Sequence, residues 1–239
     1  MALIVFHAAP AAEPRDGFLV VLPPNPVILF QGDSITDGNR GRNLDPNHIL
    51  GHGYQFIIAA DLGAGEPERQ FRFLNRGVSG SKIGDLAKRW QEDVIALKPD
   101  LLSILIGIND FTHVVEGRTT GSAADYERAY DDLLTATRQA LPSIRFVLGE
   151  PFILPVGKRE ADYHQLLAGL QPYQQAVERL AAKHQAPLVR YQPLFDAACT
   201  RAPAAYWVWD GVHPTYAGHG LMATEWVKTV TAYYQPKEP

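Results

Sequence analysis

Residues 27–38 read Val-Ile-Leu-Phe-Gln-Gly-Asp-Ser-Ile-Thr-Asp-Gly. Four apolar residues of strand length run without a break into a polar turn bracketed by Gly32 and Gly38. A strand with no polar alternation is one buried on both faces, as in a parallel sheet covered by helices. The turn then falls at a strand's carboxyl end, the edge at which open α/β sheets bind ligands.

The pattern repeats outward along the chain. Segments 71–74, 101–106, 144–148 and 187–190 are also continuous apolar runs, and stretches of helical period at 54–62, 82–97, 124–141, 170–184 and 214–231 alternate with them. Within 82–97, Ile83, Leu86, Trp90, Val94 and Leu97 recur at spacings of three and four, forming one stripe to pack on a sheet. Five strands and five helices predict a three-layer α/β/α domain over 26–235. The Ala- and Pro-rich residues 1–25 read as an arm or a short extra strand, and Pro23, Pro24 and the following Pro26 stop any helix there. Segments 38–53 and 155–169 read as long loops that shape a pocket.

Composition narrows the function. The 239 residues carry 22 Lys+Arg against 26 Asp+Glu, a net charge of −4, which argues against a phosphate-backbone binder. Every apolar run is far shorter than the ~20 residues that span a bilayer. A single cysteine, Cys199, precludes an internal disulfide or a thiolate zinc cluster and reads as a small hydrophobe. Asp45, His48 and His52 lack a compact ligand spacing, so surface polar roles are expected of them. The N-terminus has no Lys or Arg before its five-residue apolar run, so a cytoplasmic location is expected ahead of export.

The polar turn offers Ser34 as a nucleophile, although a Ser/Asp helix cap would read the same way. Near the other end, Asp210 and His213 stand three residues apart just before a helical segment. A serine hydroxyl needs a base, and an imidazole serves best when a carboxylate fixes its tautomer. Asp210 and His213 fit those roles, and a turn followed by a cap is the alternative. Two more strand-end loops carry Gly80 and Asn109, which together with the Ser34 N–H could supply oxyanion donors or could simply be a turn and a cap. Trp209, with Tyr206 and Trp207, offers aromatic faces to a sugar ring or else a core or subunit contact. Asp33 and Trp209 are the candidate substrate contacts.

Gly-Asp-Ser-Ile at 32–35, the Gly80 loop, Gly-x-Asn-Asp at 107–110 and Asp-x-x-His at 210–213, in this order, resemble the SGNH/GDSL hydrolases. The likeness runs from about residue 28 to 219, with Ile35 where the family name has Leu. It implies a flavodoxin-like fold with a five-stranded parallel sheet. It also implies Ser34 as nucleophile, His213 as base and acid, Asp210 orienting His213, and the Ser34 N–H, Gly80 N–H and Asn109 Nδ2 as oxyanion donors, with no cofactor. The stretches at 32–37, 75–80, 89–100 and 106–110 are similar to the acetylxylan-esterase branch, whose members deacetylate xylo-oligosaccharides and form homo-oligomers. An ester substrate, an acetylated sugar, and self-association are therefore expected. A lysophospholipase or acyl-thioesterase with the same triad, or a noncatalytic carbohydrate-binding protein, are the competing readings.

Overall fold

The computed structural model describes residues 21–43 and 45–235. Residues 1–20 of the expected arm lie outside the described residues; Leu22 is buried in the core. Strands β1 (Val27–Gly32), β2 (Arg72–Asn75), β3 (Leu101–Leu105), β4 (Arg145–Gly149) and β5 (Leu188–Val189) form one sheet in the order β2-β1-β3-β4-β5, all pairs parallel. This is the flavodoxin-like order.

Alternate residues of each strand feed opposite faces. Leu29, Leu102, Ile104, Phe146 and Leu148 enter one core, whereas Ile28, Phe30, Leu101, Leu105 and Val147 enter the other. Both faces demand apolar side chains, which is why the strands read as unbroken runs.

The helices in chain order are α1 (Ser34–Asp37), α2 (Tyr54–Gly65), α3 (Ile83–Asp93), α4 (Ile108–Val115), α5 (Ala123–Ala140), α6 (Tyr163–Lys183), α7 (Tyr191–Cys199), α8 (Ala204–Trp207) and α9 (Tyr216–Tyr234). Helices α3, α4, α5 and α6 cover the first core; α2, α7, α8 and α9 cover the second. No described helix is long and apolar enough to cross a membrane. The stripe on α3 is as expected, with Ile83, Leu86 and Trp90 buried and Val94 capping the helix. On α5, Tyr126, Tyr130, Leu133, Leu134 and Thr137 face the core, and a Ser122–Asp125 capping box starts the helix.

Helices α1, α4, α7 and α8 fall outside the five expected helical stretches, and α6 begins at Tyr163 rather than 170. The loop expected over 155–169 is therefore shorter. Pro172 lies inside α6 yet does not end it, because Leu170, Tyr173, Ala176 and Val177 are buried around it. Tertiary burial outweighs the loss of one backbone donor there. Helices α2 and α9 are tied end to end where the Tyr54 N–H donates to His219 Nδ1 at 3.1 Å. Burial holds this imidazole at about 4, which keeps it a neutral acceptor.

Candidate active site

Three adjacent strands, β2, β1 and β3, deliver the loops of Gly80, Ser34 and Asn109 around the crevice where the strand order reverses, and the turn between α8 and α9 supplies Asp210 and His213. Strand β1 ends at Gly32, where a Cβ would lie 2.3 Å from the Leu105 carbonyl, so only glycine fits between β1 and β3. The chain then turns sharply into α1, placing Ser34 at its first position.

Asp33 is expected against substrate, and the structure corrects this. It is 1 % exposed, and its Oδ1 accepts the Ile35 N–H at 3.0 Å, which caps α1. Its Oδ2 has no partner among the described residues. Burial pushes this carboxyl up to about 7.

Ser34, Asp210 and His213 come together. Ser34 Oγ lies 2.7 Å from His213 Nε2, and His213 Nδ1 lies 2.7 Å from Asp210 Oδ2. The other carboxylate oxygen, Oδ1, accepts the N–H groups of Val212 at 3.0 Å and His213 at 2.8 Å. Burial pushes Asp210 up, but the His213 ring and these backbone donors outweigh it and hold the carboxyl at about 2. A proton on Nδ1 shared with this anion leaves Nε2 free to accept from the hydroxyl. The Asp-x-x-His turn depends on Gly211 at φ +94°, where a Cβ would meet the Leu154 carbonyl at 2.9 Å. Arg159 reinforces the turn by donating to the Asp210 carbonyl at 2.8 Å.

Gly80 lies beyond β2, in a turn with φ +79°. Asn109 lies beyond β3, and its Nδ2 donates to the Ser81 carbonyl at 3.1 Å, tying the two loops together. The Gly80 loop is joined to the Ser34 turn where the Val78 N–H donates to the Gly32 carbonyl at 3.1 Å. Among the described residues, neither the Ser34 nor the Gly80 N–H has a protein acceptor. Such donors can hold an oxyanion. Trp209 is 63 % exposed, and its ring stacks on that of His213. Tyr206 is exposed, whereas Trp207 is buried and donates to the Ala198 carbonyl, which makes it a core residue.

Asp37 is absent from the sequence reading. It is buried, and its Oδ2 accepts from the Ser79 N–H at 2.9 Å, the Ser79 hydroxyl at 3.1 Å and Arg42 Nη2 at 2.7 Å. Burial raises its pKa, but these donors prevail and the net direction is down. No local spacing connects Asp37 to a loop so far along the chain.

A sheet of this order carrying a hydroxyl, an imidazole and a carboxylate in line at its carboxyl edge has the form of an acyl hydrolase. The GDSL-like lipase/acylhydrolase family matches residues 30–221. The chain belongs to that family and is a carboxylic ester hydrolase.

It is similar to the acetylxylan esterase of Geobacillus stearothermophilus, being 32 % identical over 209 residues, 85 % of this chain and 93 % of the esterase. A crystal structure of that esterase gives a TM-score of 0.76 at 31 % identity, covering 87 % and 95 % of the two chains. A protein assigned as a GDSL-like lipase from Parabacteroides merdae gives 0.83 at 38 % identity, covering 89 % and 98 %. Among the structures of the Geobacillus esterase are catalytic mutants in which a serine or an aspartate is replaced by alanine.

Proposed function

We propose that this esterase removes acetyl groups from carbohydrates such as acetylated xylo-oligosaccharides, through an acyl-enzyme on Ser34. The observation that carries the reading is the relay of two 2.7 Å contacts from Ser34 Oγ through His213 to Asp210. Likeness to an acetylxylan esterase supports the acetyl-sugar substrate.

In the first half-reaction Ser34 Oγ attacks the acetyl carbonyl carbon while His213 Nε2 takes the hydroxyl proton. Asp210 stabilises the imidazolium that forms. The carbonyl oxygen becomes an oxyanion that the Ser34 and Gly80 N–H groups and Asn109 Nδ2 hold. When the tetrahedral adduct collapses, the C–O bond to the sugar breaks, and His213 returns its proton to the departing alcohol. Water then enters, gives a proton to His213 and attacks the acetyl carbon; the bond from that carbon to Ser34 Oγ breaks, His213 returns the proton to Oγ, and the product leaves as acetate. The exposed Trp209 face beside His213 supports a sugar ring at the leaving-group side.

The test pairs Ser34→Ala with an acyl-chain panel. Acetate release from acetylated xylo-oligosaccharides should vanish in Ser34→Ala, and p-nitrophenyl acetate should be preferred over octanoate and longer esters. A strong preference for the long chains would overturn the carbohydrate reading in favour of a lipid or thioester substrate.

A further inference from the structure

We infer that Asp37 and Asp110 are positioning residues that grip the Gly80 loop from both ends and so set the shape of the oxyanion hole; this rests on the acyl-transfer reading above. The loop between Ser79 and Ile83 has few internal constraints. Its one turn bond runs from the Ser81 N–H to the Val78 carbonyl at 3.2 Å. At Gly80 a Cβ would meet nothing within 4 Å, so surrounding atoms do not hold that residue in place; glycine serves its φ of +79°.

Helix α3 contributes Arg89 Nη2 to Ser81 Oγ and Asp85 Oδ2 to the Lys82 N–H, both at 3.1 Å, and the remaining restraint comes from other segments. On the near side, Asp37 receives both the N–H and the hydroxyl of Ser79 on Oδ2. On the far side, the Ile83 N–H points at both oxygens of Asp110, at 3.0 and 3.2 Å. Asp110 follows Asn109 at the start of α4, while Asn109 donates to the Ser81 carbonyl. One short segment of α4 thus holds the loop at Ser81 and at Ile83, and the α1 segment holds it at Ser79. Gly80, the residue between these fixed points, is the one with a free N–H.

The arrangement is costly to keep. Asp37 is balanced by Arg42, but Asp110 has no ion pair among the described residues, and burial pushes its carboxyl up to about 6. A carboxylate retained under such conditions serves geometry here by orienting α3 and the loop that enters it. Because the hole acts on the transition state rather than on bound ester, loss of the grip should lower kcat and leave KM nearly unchanged.

The experiment is a cycle on p-nitrophenyl acetate with Asp110→Ala and Asp110→Asn, each in wild-type and Asn109→Ala backgrounds, with thermal melts run in parallel. Asp110→Ala should lower kcat about 10- to 100-fold with KM within about twofold. Asp110→Asn, whose amide oxygen still accepts from Ile83, should recover most of that loss. In the Asn109→Ala background the Asp110→Ala loss should shrink to about threefold or less, because both act through one hole. If Asp110→Ala does not fold, Asp110→Glu, which displaces the carboxylate by one methylene, should show the same kcat loss. Equal losses in both backgrounds, a rise in KM alone, or unchanged kcat in a folded variant would overturn the proposal. Ser34→Ala, assayed alongside, reports separately on the acyl-transfer reading.

Discussion

The Trp209 ring lies nearly parallel to that of His213, with centroids 5.6 Å apart and planes 20° apart, and its outer face is open to solvent. One residue therefore borders both the proposed base, His213, and open solvent. Trp209→Ala should raise KM for acetylated xylo-oligosaccharides about fivefold, the value of roughly 1 kcal/mol of ring stacking. KM for p-nitrophenyl acetate, which has no sugar, should change little. Equal kcat losses on both substrates would mean that Trp209 acts by holding His213 rather than by meeting sugar.

Asp210→Asn separates orientation from charge. The amide oxygen can still accept the Val212 and His213 N–H groups that Asp210 Oδ1 accepts now. Its NH₂ would then donate to His213 Nδ1 and drive the ring proton to Nε2, where it blocks acceptance from Ser34. The expected loss in kcat is about 10³- to 10⁴-fold with a nearly unchanged melting temperature. Steady-state kinetics and a thermal melt check both halves.

Gly77 packs against the backbone of the turn that carries Ser34. A Cβ there would lie 2.5 Å from the Asp37 nitrogen and 2.8 Å from the Thr36 carbonyl carbon, neither of which can yield as a side chain does. Gly77→Ala should cost about 1–3 kcal/mol and lower the melting temperature by several degrees. Calorimetry with activity measurement should show both falling together, since the displaced turn carries Ser34.

Burial also makes stability depend on pH. Asp33 is raised from 3.8 to about 7 in the folded chain, so the folded state holds a proton that the unfolded chain has already lost between those values. The resulting stability is fully present below about 4 and is lost as pH rises through about 7. Glu150, at about 7, and Asp110, at about 6, act in the same direction. Asp33→Asn removes the largest of these contributions. Its stability relative to wild type should be greater at pH 8.5 than at pH 5, by a few kcal/mol at most. Denaturant melts at the two values decide it, and the same relative stability at both would mean that Asp33 is already ionised in the fold at pH 5.

How much of this was legible in the sequence follows from the range of the interactions. Strands such as 27–30 show themselves because both faces are buried, and α3 shows itself through one stripe. Helix α4 does not, because Ile108, Thr112, Val114 and Val115 are β-branched and speak against a helix locally. Burial of Ile108, Phe111 and Thr112 against the core holds it instead. At the site, Ser34, Gly80 and Asn109 lie in short local patterns at strand ends, and Asp210 and His213 in one short turn before α9. Asp37 and Asp110 act across 42 and 27 positions, on Ser79 and Ile83. Asp33 reads as exposed because it stands beside Ser34 in a polar turn, whereas the turn directs its side chain inward to the Ile35 N–H.

The proposed mechanism requires an acetyl group carried on Ser34. Wild-type protein should be mixed with acetylated xylo-oligosaccharide, quenched in acid during turnover, digested and examined by peptide mass spectrometry. The expected result is the mass increment of one acetyl group on Ser34, absent in Ser34→Ala, together with loss of acetate release in that variant. Acetate release at the wild-type rate by folded Ser34→Ala, or turnover-dependent acetylation of a different residue with Ser34 unmodified, would contradict it.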